Sequence, residues 1–483
     1  MSERQSWFKI FIRSGVAKAG LALLLAIVII SLYTLATYPL DYGIRIWNNP
    51  RIWADNPQLV PPEWVDTFTD RVMVKHIVLS TKKVDRTENV LGISYKVYEI
   101  KYNLVYDGFP KYLIMKLANI TLHDEKGAVL FLNVTRPDDK KITIILFTES
   151  PPAGSKLPIS LYSKDYKIMF LSRDINIAPN LCFYLINYYN ISMDPDDVRS
   201  IGYEKIIFGV PRLENNSYVW EPLKGKYKFS LYITGNPKDS VGEFKMIFGG
   251  EVYGFMGTDD LGRDLAQGLL FGFPVALAIG VVTSVITTAI GTALGIISGY
   301  KGGKIDEIVQ RVSDIVNNFP VLPLLILISF VVSRIPNFPR LLAIIGALVA
   351  FGWAGLTILV RSMVLSLRSS AFVEAAKAIG ASDRMIMFKH IFPNIAPFVF
   401  AQMIFFTPSA ILAEAALSFL GLGDPTIPTW GQIIQQGFEG GAVFNGYWWW
   451  ILPPGILIII AAVTFVFIAL GMEPVVNPKL QER

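Results

Sequence analysis

The sequence predicts a mainly α-helical membrane protein of six transmembrane helices, with a large β-rich extracytoplasmic domain inserted between the first and the second. Three observations carry this. The 483 residues are 52% hydrophobic and 17% charged, and the mean hydropathy of +0.44 lies well to the apolar side of a soluble domain. Six stretches are apolar over the roughly 20 residues that cross a hydrocarbon core at about 1.5 Å per residue. Between the first two lie more than 200 residues patterned largely with period two, which is the period of strands.

The same composition excludes other classes. A net charge of +5 is small for this length, and no basic tract suits nucleic acid. Cys182 is the sole cysteine, so no intrachain disulfide forms, and His76, His123 and His390 share no metal-ligand spacing. No metal site is expected.

The first span runs from Gly20 to Tyr38. A cleaved signal peptide is the alternative, since Arg4, Lys9, Arg13 and Lys18 precede it; an apolar run longer than the usual ~7–15 residues favours an anchor. The other spans are Phe273 to Gly299, Val312 to Val332, Leu341 to Arg361, Pro397 to Gly421 and Trp448 to Leu470. Placing the N-terminus in the cytoplasm puts Lys301, Lys304, Arg311, Arg361, Arg368, Lys377, Arg384, Lys389, Lys479 and Arg483 inside with the basic N-terminal residues. Only Arg334 and Arg340 remain in the short outer loops. The loop from Leu422 to Tyr447 has no lysine or arginine, and Tyr447, Trp448, Trp449 and Trp450 suit an aromatic belt at its edge. Both termini are therefore expected in the cytoplasm and the insert outside, in a multi-pass protein of the cell membrane.

In the insert, Ile93 to Tyr106, Lys141 to Phe147, Leu157 to Ser163 and Lys226 to Gly235 read as strands, with turns at Asp124 to Gly127 and Thr135 to Asp139. An antiparallel sandwich is expected. Sequons at Asn119, Asn133, Asn190 and Asn215 make these four asparagines candidate glycan acceptors of an exterior domain. Aromatic-rich Leu181 to Asn190 reads as buried sheet core, with a ligand surface as the alternative.

The cytoplasmic loop after the fourth span has its own pattern. Phe372, Ala376 and Ile379 form an apolar stripe at helical spacing, away from Glu374 and Lys377. Gly380 is placed to stop that helix in a left-handed turn. Ser382 can cap a second one with Asp383 in its first turn. Met385, Phe388 and Phe392 make the second stripe, and Pro393 is expected to end it. Such a bent pair can transmit force to a soluble partner; helices lying in the lipid headgroups are the alternative.

The run Glu374-Ala375-Ala376, three residues, Gly380, nine residues, then His390-Ile391-Phe392-Pro393 resembles the EAA loop of ABC-importer permeases, in the form of the dipeptide, oligopeptide and nickel permease family. Phe392 stands where leucine is usual. "GTDDLGRD", Gly257 to Asp264, resembles that family's signature before its second span, where Thr258 or Asp259 can cap a short interfacial helix that also carries Gly262, Arg263 and Asp264. "EAALSFLGLG" (Glu414 to Gly423), "PTWGQII" (Pro428 to Ile434) and the closing "NPKL" are similar to further family segments. The resemblance covers the first span and roughly Gly254 to Leu480, and leaves out the insert.

That resemblance implies the type I importer permease fold, with Glu374, Ala375, Ala376, Lys377, Gly380, Ala381, Ser382, Asp383 and Arg384 in a coupling loop that seats in an ATPase subunit. It implies a second homologous permease, two ABC ATPase subunits and an extracytoplasmic solute-binding protein as partners, in a lipid membrane. Peptides are the commonest cargo of such permeases, with oligosaccharides or nickel as alternatives. The domain plan is then a cytoplasmic N-terminus (1–19), the first helix (20–38), the insert (39–252), the interfacial helix (253–272), a core with helices two to six (273–471) including the coupling loop (362–395), and a cytoplasmic C-terminus (472–483).

Gly291, Gly295 and Gly299 predict close helix approach on the second span. Glu414, with Ser418 one turn on, is the candidate translocation or gate residue, the alternative being a solvated rim near the outer interface. No G-x-x-x-x-G-K-[ST] loop occurs, and "GYKGGKID" has the wrong spacing. No cofactor is expected on this chain; ATP and Mg belong on the partner ATPases, and the chain is expected to be a transport subunit rather than an enzyme. A membrane-anchored exterior enzyme would need a carboxylate pair, which the spacing of Asp138, Asp139, Asp194, Asp196 and Asp197 does not single out. An ion-coupled secondary transporter would need charged, interrupted spans.

Overall fold

The computed structural model describes residues 11–90, 93–214, 217–332, 334–335 and 339–476. Arg4, Lys9, Asn215, Asn477, Lys479 and Arg483 lie outside them. The chain forms two compact units, residues 51–264 and the remainder.

The second unit opens with α1 (Gly15–Thr37), capped by Ser14, whose hydroxyl accepts from the Ala17 N–H. Residues 39–50, expected in the insert, belong with the helices instead. Tyr42 and Trp47 are fully buried there, Tyr42 stacked on Phe271 at 5.0 Å and Trp47 against Gly268.

The insert is the expected antiparallel sandwich. One sheet has the order β1 (Ile77–Thr81), β12 (Ser240–Phe248), β4 (Leu113–Leu122), β7 (Ile159–Leu161), with β8 (Lys167–Phe170) also on β4. The other runs β2 (Arg86–Val90), β3 (Ile93–Leu104), β11 (Gly225–Thr234), β5 (Ala128–Thr135), β6 (Lys141–Glu149), and β9 (Gly209–Glu214) pairs β10 (Ser217–Pro222) separately. Alternation fixes which face is buried: along β5 every second residue from Ala128 to Val134 is inside. Leu117, Phe244 and Met246 of one sheet share a core with Tyr98, Leu132 and Leu231 of the other. Tyr102 stacks on Phe248 across it at 4.0 Å. Both expected turns form, with Gly127 at φ 72° and Asp139 at φ 61°.

Two expectations, one for the insert and one for the segment that follows it, change. Leu181 to Asn190 is not sheet: it lies in α2 (Ile177–Tyr189), followed by α3 (Pro195–Ile201) and α4 (Tyr203–Phe208). Leu181, Tyr184 and Leu185 recur at helical spacing on its buried side, so an apolar run short enough for a strand was one face of a helix. Of the sequon asparagines, Asn133 sits half-buried within β5 with its side-chain oxygen enclosed, whereas Asn119 and Asn190 are exposed. No separate interfacial helix forms over 253–272: from Leu265 the chain is already in the long helix that follows. Residues 253–264 are a chain of turns, because Gly254, Gly257 and Gly262 all take positive φ and Thr258 is engaged elsewhere.

Past the insert, α5 (Leu265–Lys301) runs through the expected boundary at 273. α6 (Gly303–Asn318) and α7 (Val321–Val332) follow, then α8 (Arg340–Arg368), α9 (Ala371–Ala378), α10 (Asp383–Met385), a wider turn over Ile386–Ile391, α11 (Phe392–Phe419), α12 (Trp430–Glu439) and α13 (Trp448–Val476). The coupling loop is thus shorter than 362–395, since α8 and α11 extend into it. Among the described residues five helices are long and apolar enough to cross a membrane, or six if the bent α6–α7 pair is one span. That pair replaces the continuous span expected over 312–332. It bends by 82° at Phe319-Pro320, where proline offers no N–H and α6 is amphipathic. The expected aromatic belt is also largely internal: Trp449 and Trp450 are buried, Trp450 against Gly437 and Gly440.

The glycine seam on α5 does what its spacing predicts. A Cβ on Gly291 would fall 2.8 Å from the Trp353 carbonyl oxygen, one on Gly295 2.8 Å from that of Thr357, and one on Gly299 2.9 Å from that of Arg361. The α5 and α8 backbones therefore nearly touch. The Thr357 hydroxyl donates to the Gly291 carbonyl at 3.1 Å across the contact.

Candidate functional site

The bent pair between α8 and α11 forms where the sequence places it. Gly380 takes φ 82°, and the Gly380 and Ala381 N–H groups donate to the Lys377 and Ala376 carbonyls at 2.9 and 3.0 Å, closing α9. Ser382 caps the next turn, its hydroxyl accepting from the Met385 N–H at 3.4 Å. Pro393 does not end the helix. It occupies the first turn of α11, where its missing N–H costs little, and the chain continues to Phe419.

Each short helix is apolar on two faces. The inner face is Val373, Ala376, Ile386, Met387 and Ile391, buried in one cluster with Ile296 and Tyr300 of α5 and Val360 and Val364 of α8. Of the two expected stripes only Ala376 is buried; Phe372 and Met385 are exposed, Ile379 is 86% and Phe388 71% exposed, and Phe392 is half-buried. The stripes thus lie mostly on an outer face that no other described residue buries. Glu374, Ala375, Lys377, Gly380, Ser382, Asp383 and Arg384 are exposed beside it, and Ala381 is half-buried.

Two interactions that spacing did not reveal fix this loop to the bundle. The Tyr300 hydroxyl donates to Asp383 Oδ1 at 3.0 Å, and the Lys377 ammonium lies 5.4 Å from the Tyr300 ring centroid, so one α5 residue meets both halves of the bend. Nearby, Arg361 of α8 holds Asp306 of α6 with two bonds of 2.5 and 2.6 Å, and Ser298 of α5 donates to the same carboxylate at 2.5 Å. The only sequence signal for either was charge in an otherwise apolar stretch.

Glu414 is 5% exposed, so it is no solvated rim residue within this chain. It accepts from the Ser418 hydroxyl at 2.6 Å, and Thr429, the cap of α12, lies 3.4 Å from Ser418 Oγ. The two segments Glu414 to Gly423 and Pro428 to Ile434 are thereby tied together. Trp430 completes it, its indole N–H donating to the Leu269 carbonyl at 2.9 Å.

In the insert unit, Gly257 to Asp264 is a knot. The Thr258 hydroxyl accepts from the Val60 N–H at 3.2 Å, and Asp259 accepts from the Leu261 and Arg263 N–H groups. Asp259 also pairs with Arg263 Nε at 2.5 Å, both side chains being inside. Burial pushes the Asp259 carboxyl above its usual range, with Arg263 opposing. The Gly262 carbonyl accepts from Asn56 at 3.0 Å, and Asp264 bridges Thr258.

The carboxylates weighed for an exterior enzyme do not act together. Asp138 pairs with buried Arg136 at 3.1 Å, Asp194 caps α3, and Asp196 pairs with Arg199. Among the described residues no group of three His, Cys, Asp or Glu side chains is placed to hold a metal.

Comparison with known proteins places the helical unit. The family described as "Binding-protein-dependent transport system inner membrane component" matches residues 291–482. The dipeptide transport system permease protein DppC of Bacillus subtilis is 34% identical over 228 residues, 47% of this chain and 69% of the relative. The inner membrane ABC transporter permease protein YejE of Escherichia coli is 34% identical over 47% of this chain and 63% of its own length. The oligopeptide transport system permease protein OppC of Haemophilus influenzae is 35% identical over 39% and 59%. Among solved structures, an inward-facing MetNI methionine ABC transporter aligns with a TM-score of 0.35 and 20% identity, covering 44% of this chain and 97% of that one.

Proposed function

The chain belongs to the family of binding-protein-dependent transport system inner membrane components, and from that premise we propose that it is the permease subunit of an ABC importer for peptides, contributing half of a translocation pathway. Its observed relatives are named as dipeptide and oligopeptide permeases, which favours peptides over oligosaccharides or nickel. In this reading the chain pairs with a second permease, receives cargo from a solute-binding protein and is driven by two ATPase subunits that hold the ATP and Mg.

The outer apolar face of the coupling loop carries the proposal. Phe372, Ile379, Met385 and Phe388 are exposed on a bend whose other face is locked into α5 and α8. Exposed apolar side chains on a rigid base suit a protein partner whose closure must move the bundle. Lipid headgroups would suit the apolar face equally, but not a base clamped on both halves by Tyr300.

The topology follows from counting crossings. If the basic end of α5 and the coupling loop are both cytoplasmic, α8 begins outside, so the bent α6–α7 pair carries the chain across despite the brevity of α7. The insert and the α12 segment then lie outside and both termini inside. Glu414 and Ser418 act, in this reading, as the hinge of the outer segment rather than as a cargo contact, because their bonds are made within the chain.

Ile379→Cys and Phe388→Cys, in a Cys182→Ser background, test the coupling assignment. Both should crosslink to a co-expressed ATPase subunit in native membranes, and the yield should change when ATP is added. Labels that stay reactive to water-soluble thiol reagents in the assembled transporter would exclude this face as the ATPase seat.

A further inference from the structure

We propose that the end of the insert bearing Trp64, Phe68 and Phe255 rests on the outer lipid surface, with these three rings in the headgroup region. The proposal rests on the reading that α1 and α5 cross the membrane, and it concerns a domain outside the matched family segment.

The rings form one patch. The short helix Glu63–Phe68 is laid against Gly254, whose carbonyl accepts from the Glu63 N–H at 2.9 Å. Trp64 donates its indole N–H to the Phe255 carbonyl at 2.8 Å, and its ring meets Phe68 edge-on at 6.3 Å. Phe68 is 82%, Phe255 68% and Trp64 39% exposed, around a groove completed by Glu63, Gly254 and Met256. Among the neighbouring charges Lys75 pairs with Glu63 at 3.3 Å and Arg71 with Glu251 at 3.2 Å, while Asp66 accepts from the Met73 N–H at 2.7 Å and Asp70 is exposed. The rings themselves carry no charge, and the carboxylates Asp66 and Asp70, without an ion pair among the described residues, stand at their edge.

Chain continuity supplies the occupant. Phe255 stands three residues before Thr258, which bridges Asp264, the residue next to α5. At up to ~3.5 Å per residue, with roughly 5 Å across the bridge, the Phe255 Cα lies within about 16 Å of Asp264, the residue that precedes a spanning helix in the chain. Rings with an apolar body and one satisfied polar edge are the type that collects at a membrane–water boundary. The opposite end of the sandwich gives the contrast. β12 pairs Phe248 with Leu113 and Ser240 with Thr121, so the turn at Lys126 lies roughly 25–30 Å further along the strands.

The test uses the full chain with Cys182→Ser, in phosphatidylcholine–phosphatidylglycerol vesicles containing brominated phosphatidylcholine. A bimane label is attached in turn at Phe68→Cys, Lys126→Cys and Ile459→Cys, the last on the exposed side of α13. Bromolipid should quench the Phe68 and Ile459 labels about two-fold and leave the Lys126 label unchanged. A Phe68 label that behaves like Lys126 while Ile459 is quenched overturns the proposal and leaves the spanning reading intact. Absence of quenching at Ile459 as well removes the spanning reading, and the proposal with it. A Phe68 label indifferent to bromolipid but shielded from aqueous iodide once a solute-binding protein is added overturns it in favour of a protein dock.

Discussion

The hydroxyl of Tyr300, in the last turn of α5, donates to the carboxylate of Asp383 at 3.0 Å. Asp383 lies 83 residues further along the chain, so this bond makes the coupling bend part of the bundle rather than an appendage of it. The proposed coupling role needs such a fastening, since a free hinge would absorb the stroke.

Tyr300→Phe removes the bond and keeps the ring beneath Lys377. A hydrogen bond to a charged group contributes about 1.5–3 kcal/mol, less where the carboxylate is exposed as here. Expected is roughly a five- to tenfold fall in ATP-driven uptake by proteoliposomes, with ATPase turnover of the assembled complex largely kept. Loss of both in parallel would mean that the bond maintains assembly rather than coupling.

Gly380 separates two kinds of change. At φ 82° an alanine pays about 1–2 kcal/mol of backbone strain, whereas proline locks φ near −65° and removes the N–H that bonds Lys377. Gly380→Ala should therefore reduce uptake modestly and Gly380→Pro should abolish it, both proteins remaining in the membrane fraction. Replacing Glu374 and Lys377 together should also abolish uptake. Normal uptake by Gly380→Pro would remove the bend from the mechanism.

The α5–α8 seam predicts a stability effect at one glycine and none at another. A Cβ on Gly295 would lie 2.7 Å from Val360 Cβ, while one on Gly346 meets nothing within 4 Å. Gly295→Ala should cost about 1–3 kcal/mol through forced separation of the helices, lowering the thermal unfolding midpoint in detergent. Gly346→Ala should leave it level or raise it slightly.

Much of this was readable before the fold was known, and the pattern of success is physical. The glycine spacing on α5, the left-handed stop at Gly380, the Ser382 cap and the two turns of the insert are local requirements written in single residues. What failed depended on partners far along the chain. Phe372 and Ile379 were placed on an apolar stripe, but periodicity cannot say which of two apolar faces meets the bundle, and Val373 won the buried side. Pro393 was read as a stop because proline's effect depends on whether a helix is beginning or ending there. Leu181 to Asn190 illustrates the ambiguity of a short apolar run, and Thr258 was expected to cap a helix because nothing local announces Val60 as its partner. The Tyr300–Asp383 and Arg361–Asp306 contacts were invisible for the same reason.

His76 gives the insert a pH dependence of definite sign. It is half-buried, its enclosed Nδ1 has no hydrogen-bond partner among the described residues, and its ring packs 5.4 Å from Tyr253. Burial lowers its pKa from 6.5 to about 4, against the opposing pull of Asp55 and Glu63. Between those two values the unfolded chain binds a proton that the folded domain refuses, so stability is full above about pH 6.5 and declines as pH falls toward 4. The difference corresponds to about 3 kcal/mol at the acid end. Buried Glu204 acts in the other direction: its carboxyl is raised by desolvation, so its contribution is lost as pH rises through the raised value. The two are separable by substitution. Hydrogen exchange of β1 and β12 in the full chain should accelerate between pH 6.5 and 4.5 beyond the intrinsic chemical rate, and His76→Gln should flatten that response while leaving any Glu204-dependent slope in place. An unchanged slope in His76→Gln would assign the acid sensitivity to another group.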